Sequence, residues 1–423
     1  MNRVKLILLF FLITGVSSAV FNIGHPFNLK GDDSNYNDYA TNLVSGKGYS
    51  LDGKEFSAFR EPGYPIFIAI IYKVAGINNF SAVRVVQIII LGLIGLFIYL
   101  SFELYQRKKW GTIAGITVIL IPYYGYYTGQ LFSELLFSLL LVVSFYLCLR
   151  ILIRNSSSIW YVLLGLVFGY AVLVRTQLLL FPIVICLFAI FIRSFSIKKI
   201  VILLVTFLMV VMSWGSYVYH KTGHFYLTTS YRTGLNFYNR ADRAGWSYGQ
   251  LISYYGYWIS RSSSNGDIGD RISNYEDKLK AGYYNEIASG NLPNEIQNRS
   301  LKTIFIHFDK YIFGSGIELL KLNYIDHIYA PSVDTRYLRV GFYIVLYLLF
   351  LYGIINFFRF KNTSLQTMVV LAGIYLVYNQ LLVSAFDAIP RYNTPYLVFF
   401  LLVGLAGLSL VWPLNEPIIK KQK

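Results

Sequence analysis

The chain has 423 residues, of which 56% are hydrophobic and only 14% are charged, and its mean hydropathy is +0.51. This composition excludes an ordinary soluble domain, because apolar runs above roughly 18 residues recur as they do in membrane-spanning helices. The net charge of +16 does not indicate nucleic-acid binding. Lys and Arg concentrate in short connectors such as 107–109 and 198–199, which is typical of the cytoplasmic loops of membrane proteins.

The sequence predicts an all-α polytopic membrane protein with about ten spans and with both termini in the cytoplasm. The first apolar run resembles a signal peptide, but "VSSAVFN" is a poor cleavage site, so we expect a retained span. The predicted spans cover residues 4–21, 82–104, 111–128, 130–150, 159–175, 177–192, 200–219, 339–358, 365–386 and 395–412.

This topology predicts three parts along the chain. They are an N-terminal transmembrane module at 1–219 with a first outer loop at 22–81, a small and mainly helical extracytoplasmic domain at 220–338, and a C-terminal transmembrane module at 339–423. The outer segment is long enough for a folded domain. Its later half has a helical pattern in "NEIQNRSLKTIFIHFDKYIF", which follows Pro as a start signal.

The first outer loop is predicted to contain juxtamembrane helices. In the polar stretch "KGDDSNYNDYATNLVSGKGYS", apolar residues recur at i, i+3, i+4 and i+7, namely Tyr36, Tyr39, Ala40 and Leu43. Gly46 is expected to end this amphipathic helix. The later segment 64–76, "YPIFIAIIYKVAG", is too short to span, so we expect an interfacial or re-entrant helix there.

Two adjacent carboxylates, Asp32 and Asp33, precede the amphipathic helix. Asp33 or Ser34 is expected to cap the helix, and the helix dipole then favours the ionised carboxylates. A cap needs one side chain, so the second aspartate calls for another role. A calcium loop is excluded, since Asp38 stands where Gly is required and Val44 stands where Glu is required.

Further motifs follow in the order "FREPGYPIF", "GQLFSELLFSLLL", "GLVFGYAVLVRTQLLLFP" and "IPRYNTPYLVFF". Together with the acidic pair, they resemble the membrane-embedded inverting glycosyltransferases that use polyprenyl-phosphate sugars, which include protein O-mannosyltransferases and lipid A aminoarabinose transferases. The matching residues are Asp32, Asp33, Tyr36, Ala40, Gly46, Gly48, Arg60, Pro62, Gly63, Tyr64, Pro65, Glu134, Arg175, Arg391, Tyr392 and Pro395. The chain departs from the family at Thr176, where the family has Pro, and at Asp33, where Glu is common.

The resemblance implies transfer of a sugar from a polyprenyl-phosphate carrier to an acceptor glycan, lipid or protein, outside the plasma (inner) membrane. Asp32 is the expected catalytic base, and Asp33 is expected to orient the substrate or a bound ion. The alternative role for Asp32 is purely structural, as the N-cap of the helix. Four cations are expected to stabilise the leaving prenyl phosphate, or else to reach lipid headgroups: Arg60, Arg175, Lys221 and Arg391.

Two further candidates for substrate binding are Glu134 and Tyr36. Glu134 lies inside the predicted span 130–150, where an acidic group needs either a cavity or an Arg partner. Tyr36 is expected either to stack on a sugar or to pack between helices. The histidines do not cluster, so we predict no metal site from them and leave open whether a divalent ion assists.

Two other functions compete with sugar transfer. A lipid-linked-sugar flippase or transporter predicts charges near the bilayer midplane and paired broken helices, whereas the notable charges here gather at the outer ends of the predicted spans. A polysaccharide polymerase fits the Arg-bearing outer segment 220–338 but does not account for the acidic motif after the first span. The identity of the sugar and of the acceptor, and the oligomeric state, stay open.

Overall fold

The computed structural model describes residues 3–22, 29, 31–154, 157–192, 195–226, 230–260, 275, 278–279, 281–283, 285, 293–322, 336–360, 365–386 and 392–414. Across these ranges the chain forms α-helices and short 3-10 turns, without a β-strand. The main helices are α1 (Arg3–Asn22), α2 (Asp32–Val44), α3 (Gly63–Ala75), α4 (Phe80–Glu103), α5 (Lys108–Ile119), α6 (Pro122–Tyr127), α7 (Glu134–Arg154), α8 (Ser158–Val174), α9 (Phe181–Phe191), α10 (Ile197–Thr222), α11 (Ser230–Ala244), α12 (Tyr248–Ser260), α13 (Pro293–Ile306), α14 (Phe308–Leu322), α15 (Arg336–Arg359), α16 (Leu365–Phe386) and α17 (Leu397–Val411).

Seven helical segments within the described ranges are long and apolar enough to cross a membrane. They are Arg3–Asn22, Phe80–Glu103, Glu134–Arg154, Ile197–Thr222, Gly341–Arg359, Leu365–Ala385 and Thr394–Val411. The predicted all-α polytopic fold is therefore confirmed. The predicted spans 159–175 and 177–192 correspond to the shorter apolar helices Ser158–Val174 and Thr176–Phe191, so the count of about ten spans stays a prediction.

The predicted span 111–128 is not one continuous helix. It is divided into α5 and α6, because Pro122 begins α6 and the residue before it, Ile121, has the extended backbone that proline favours (φ −59°, ψ 119°). Side chains from α1 bind the carbonyl groups near this break. Ser17 donates to the carbonyl of Ile119 at 3.1 Å, and Asn22 donates to that of Gly125 at 2.8 Å. Irregular backbone is tolerated at membrane depth only when it is satisfied in this way.

The chain divides into two compact units. The first contains 1–228, 335–377 and 394–423, and the second contains 229–334 and 378–393. The three-part organisation predicted from hydropathy stays a prediction.

Helices of the first unit run in alternating directions. The start of α1 lies beside the end of α4, because Arg3 Nη2 is 3.0 Å from Oε1 of Glu103. The end of α8 lies beside the start of α7, because Arg175 Nη1 is 2.9 Å from Oε1 of Glu134. The ends of α1, α6 and α8 and the starts of α4 and α7 therefore meet at one end of the bundle, which we call the site end.

Glycines allow the helices of this bundle to pack closely. A Cβ atom on Gly115 of α5 would lie 2.7 Å from the carbonyl oxygen of Gly95 on α4. A Cβ atom on Gly165 of α8 would lie 2.6 Å from the carbonyl oxygen of Leu203 on α10. Small residues commonly permit such backbone contact between membrane helices, and the close contacts fix the helices that carry the site.

In the second unit, arginines of α11 bind neighbouring helices. Arg240 donates to Ser315 Oγ of α14 at 2.6 Å, and Arg243 donates to the hydroxyl of Tyr254 on α12 at 3.1 Å. Both arginines are almost fully buried. These charge-assisted hydrogen bonds join three helices of the unit.

Candidate active site

Helix α2 places the acidic pair in its first turn. The helix begins at Asp32 after Gly31, which has φ 63°. The N-cap position is therefore a glycine, and no side chain caps the helix. The predicted cap at Asp33 or Ser34 is therefore wrong, because the helix begins before these residues and both aspartates lie within its first turn. The helix dipole still favours both carboxylates. Gly46, with φ 76°, follows the helix end as predicted.

The two aspartates differ in environment. Asp33 is buried, with 3% of its surface exposed. Asp32 keeps 19% of its side chain exposed and forms an ion pair with Arg60. Asp32 is therefore the carboxylate of the pair that a second molecule can reach.

Arg60 lies in the first loop just before α3 and is 96% buried, with only 4% of its surface exposed. One Nη atom forms the ion pair with Asp32, and the guanidinium carbon lies 4.9 Å and 5.5 Å from the ring centres of Phe59 and Tyr36. The Nε and Nη1 atoms are buried and find no hydrogen-bond acceptor among the described residues. The described residues therefore leave two donors of this guanidinium for a further acceptor while a third holds Asp32.

Aromatic side chains fix the backbone around Arg60. The hydroxyl of Tyr49 donates to the carbonyl of Arg60 at 2.9 Å. Tyr49 stacks on Tyr39 of α2 at 4.3 Å and meets Trp214 of α10 edge-on at 4.9 Å. Burial raises the pKa of Tyr49 well above its usual value, so the hydroxyl stays a donor. The loop is thereby anchored to α2 and to the last turns of α10.

A second ion pair joins Glu134 and Arg175. Glu134 begins α7 and is 2% exposed, whereas Arg175 follows α8 in extended conformation (φ −151°, ψ 122°). The expectation that Glu134 lies several residues inside a span at 130–150 is wrong, because the helix starts at this residue. The helix N-terminus stabilises the carboxylate, and the Arg partner that sequence reasoning left open is Arg175.

Tyr36 and Tyr64 connect the two ion pairs. Their rings meet edge-to-face at 4.9 Å, and the Tyr36 hydroxyl lies 3.5 Å from Oγ of Ser133, which precedes α7. Burial raises the pKa of Tyr36, and the nearby charges of Arg60 and Arg175 act in the opposite direction. Arg60 lies 5.5 Å from the Tyr36 ring, and the Tyr36 hydroxyl faces Ser133 directly before Glu134, so Tyr36 lies between the two ion pairs at the site end.

Gln87 was missed by sequence reasoning. It is a buried side chain of α4 that accepts a hydrogen bond from the Tyr64 hydroxyl at 3.2 Å. Its Nε2 atom donates to the carbonyl groups of Thr128 at 3.1 Å and Gln130 at 2.9 Å. The available signal was an amide side chain inside the apolar run 82–104, where a polar group needs partners. Gln87 thus ties the connector before α7 to Tyr64.

Gly63 brings the first loop to the end of α8. The hydroxyl of Tyr170 on α8 donates to the carbonyl of Gly63 at 2.9 Å. A Cβ atom on Gly63 would lie 2.7 Å from the carbonyl carbon of Leu173, which is closer than real Cβ atoms come. The glycine of the "EPGYP" motif therefore permits the approach that places Arg60 near Arg175.

The structure does not bring the candidate cation Lys221 into the group of residues around Tyr36. Lys221 is exposed in the last turn of α10, with its ammonium 5.9 Å from the ring centre of Tyr217. Among the described residues, no ion pair joins Lys221 to Asp32 or Glu134. Arg391 lies outside the described residues. Within the described ranges, no three His, Cys, Asp or Glu side chains are placed to hold a metal ion.

Residues 60–217 match the family of dolichyl-phosphate-mannose-protein mannosyltransferases. This segment contains Arg60, Glu134 and Arg175. The fold and the match together define a multi-pass membrane protein with a glycosyltransferase-family segment. The resemblance to the polyprenyl-phosphate-sugar transferases is confirmed over this part of the chain.

The solved structures that are similar to the chain include two of ArnT from Cupriavidus metallidurans. The crystal structure bound to undecaprenyl phosphate has 14% identity and a TM-score of 0.44, and the match covers 97% of this chain and 79% of that chain. The structure in the apo state has 13% identity and a TM-score of 0.42, with coverage of 97% and 78%. No curated protein sequence matches the chain.

Proposed function

We propose that this protein transfers a sugar from a polyprenyl-phosphate carrier to an acceptor on the extracytoplasmic side of the membrane, with inversion at the anomeric carbon. The observation that carries the proposal is the position of Tyr36 between the ion pairs Asp32–Arg60 and Glu134–Arg175. The family match over 60–217 supports sugar transfer from a lipid-linked donor.

Asp32 is the catalytic base in this proposal. An acceptor oxygen or nitrogen attacks the anomeric carbon on the face opposite the phosphate, and the bond between that carbon and the phosphate oxygen breaks. The electron pair leaves on the phosphate, and Asp32 takes the acceptor proton. The partial exposure of Asp32 supports this role. The buried Asp33 orients the substrate or a bound ion.

Arg60 binds the leaving phosphate through Nε and Nη1 while Nη2 holds Asp32. A guanidinium aimed at developing negative charge stabilises the transition state, and it is most effective in a buried site. Arg175 supplies the second positive charge, positioned by Glu134. Tyr36 lines the space between the two guanidinium groups. Contributions from Lys221 and Arg391 stay predictions.

The charge distribution supports an extracytoplasmic site. The opposite end of the bundle carries Arg3, Lys108 and Arg154 at helix ends and the pair 198–199 at the start of α10. Lys and Arg favour the cytoplasmic side of membrane proteins. This distribution supports a site end that faces away from the cytoplasm.

The test uses purified protein in lipid nanodiscs, a panel of polyprenyl-phosphate sugars and a cell-envelope extract as acceptor, with release of polyprenyl phosphate as the readout. Asp32→Asn should lower the rate by about 10²–10⁴-fold, the usual contribution of a general base. Asp38→Asn is the matched control, because this carboxylate lies on the same helix and accepts a hydrogen bond from the neighbouring Ser34 at 3.3 Å. A wild-type rate in Asp32→Asn would contradict the assignment.

A further inference from the structure

The second unit exposes a group of large apolar side chains where α13 ends and α14 begins. We call it the outer apolar patch, and its members keep the following exposed fractions: Phe305 74%, Ile306 66%, Phe308 53%, Ile312 52% and Phe313 36%. Single exposed apolar residues are common on protein surfaces. Five within nine consecutive positions form a contiguous patch, and such patches mark contact with another apolar surface.

The patch is the outward face of helices whose other face is already packed. Ile304 is 6% exposed. Tyr311 of α14 donates its hydroxyl to the carbonyl of Ala385 at 2.8 Å, and the guanidinium carbon of Arg240 lies 4.9 Å from its ring centre. The residues that hold this unit together therefore alternate with those of the patch. Two patch members keep ring contacts at its edge, Phe308 with Tyr311 at 6.3 Å and Phe313 with Tyr248 at 5.1 Å.

Exposed basic residues and a tyrosine lie next to the patch along the helices, and the exposed Asp309 lies between its members. Arg299 and Lys302 are exposed on α13, on the same helix as Phe305. The Tyr248 ring lies 5.1 Å from Phe313, and its hydroxyl donates to Asp309 at 2.6 Å. Apolar residues with Lys, Arg and Tyr at their edges are typical of segments that lie in the headgroup region of a bilayer. The cations complement the phosphate groups of anionic lipids.

The chain keeps this unit close to a membrane. It enters the unit shortly after α10, leaves it shortly before the span Gly341–Arg359, and enters it again at 378 within the span Leu365–Ala385. Direct connection to three helices that are long enough to cross a bilayer gives the patch a high effective concentration of lipid. We propose that the outer apolar patch inserts into the headgroup–acyl boundary of the bilayer that the protein spans. This surface does not depend on the proposed sugar transfer.

The test uses the full chain in nanodiscs of phosphatidylethanolamine and phosphatidylglycerol. An environment-sensitive NBD label is attached to Phe308→Cys, with Glu295→Cys as the matched control, because Glu295 is an exposed polar residue of α13. The native Cys148 and Cys186 are buried and should not react. NBD emission at position 308 should shift to shorter wavelength, and lipids with brominated acyl chains should quench it several-fold more than emission at position 295.

Two results would overturn the proposal. Equal emission and negligible bromolipid quenching at positions 308 and 295 would show that the patch faces water. A blue shift at position 308 without bromolipid quenching would show that protein, either another part of the chain or a second copy, covers the patch. Ile312→Cys provides a second labelled position if Phe308→Cys does not fold, and the same outcomes apply to it.

Discussion

Removing one partner of the Glu134–Arg175 pair should strongly destabilise the protein. Arg175→Leu leaves the carboxylate of Glu134 with only 2% of its side chain exposed and without its cation. At an effective dielectric constant of about 20, two unit charges about 4 Å apart attract by about 4 kcal/mol. Breaking a buried pair typically costs about 3–5 kcal/mol. We therefore expect a loss of about 3–5 kcal/mol in the free energy of unfolding for Arg175→Leu.

The double variant Glu134→Gln/Arg175→Leu separates charge from shape. It removes both charges, so it should recover most of the stability that the single variant loses, with a coupling energy of at least about 2 kcal/mol. The free energies are measured by titration with sodium dodecyl sulfate in mixed micelles. The single variant Glu134→Gln is measured as well. If the losses of unfolding free energy in Glu134→Gln and Arg175→Leu add up to the loss in the double variant, the pairing is refuted.

Two further measurements sharpen this prediction. Arg3→Leu is the matched control. The side chain of Arg3, which pairs with Glu103, is 73% exposed, and exposed ion pairs add little stability. In the donor assay, the stable double variant should remain inactive if Arg175 binds the leaving phosphate. Wild-type activity in the double variant would assign the pair a purely structural role.

Three other changes test the loop that carries the site. Gly63→Ala should cost about 1–3 kcal/mol and lower activity, because the new Cβ would lie 2.7 Å from the carbonyl carbon of Leu173; the same titration and the donor assay measure both effects. Gln87→Leu should cost about 1–3 kcal/mol, because the Tyr64 hydroxyl and two buried carbonyl groups lose their partner. Hydrogen bonds from the backbone N–H groups of 54 and 55 lower the pKa of Asp52 to about 2, so the stability that this carboxylate contributes is present above pH 4 and is lost as the pH falls towards 2. The unfolding midpoint of the wild type should therefore fall relative to Asp52→Asn over that range.

Each of these predictions has a contrary result. Gly15→Ala is the control for Gly63→Ala, since no atom lies within 4 Å of the added Cβ on Gly15, and equal losses in the two variants would contradict the steric reasoning. For Gln87→Leu, a fully stable variant would show that the hydrogen bonds contribute nothing. For Asp52, parallel pH profiles of wild type and Asp52→Asn would rule out the low pKa.

The sequence was informative where a pattern is local. The 3.6-residue periodicity of α2 predicted which face is buried, and Tyr36, Tyr39 and Ala40 are buried. Hydropathy located the long helices because about twenty consecutive apolar residues are typical of a membrane-spanning helix. It could not show that Pro122 divides the predicted span 111–128, since proline occurs within membrane helices that continue past it.

The candidate site is formed by ion pairs between residues that are distant in the sequence, and local sequence patterns do not predict such pairs. Asp32 and Arg60 are separated by 28 positions, so only the folded first loop brings them together. The partner of Glu134 is a residue that follows the next helix along the chain, and hydropathy could assign both to one side of the membrane but not to each other. Gln87 gave a weak signal, because one amide in an apolar run is compatible with many partners.

The break between α5 and α6 also constrains how the protein is made. Each piece is shorter than the roughly twenty residues that a helix needs to cross a bilayer. Ser17 of α1 binds the carbonyl of Ile119 at the break, Asn22 of α1 binds that of Gly125 within α6, and Gln87 of α4 binds that of Thr128 just after α6. Released alone from the insertion machinery, this segment would bring unsatisfied peptide groups into hydrocarbon. We therefore expect this segment to be stable in a bilayer only once α1 and α4 are in place to bind these carbonyl groups.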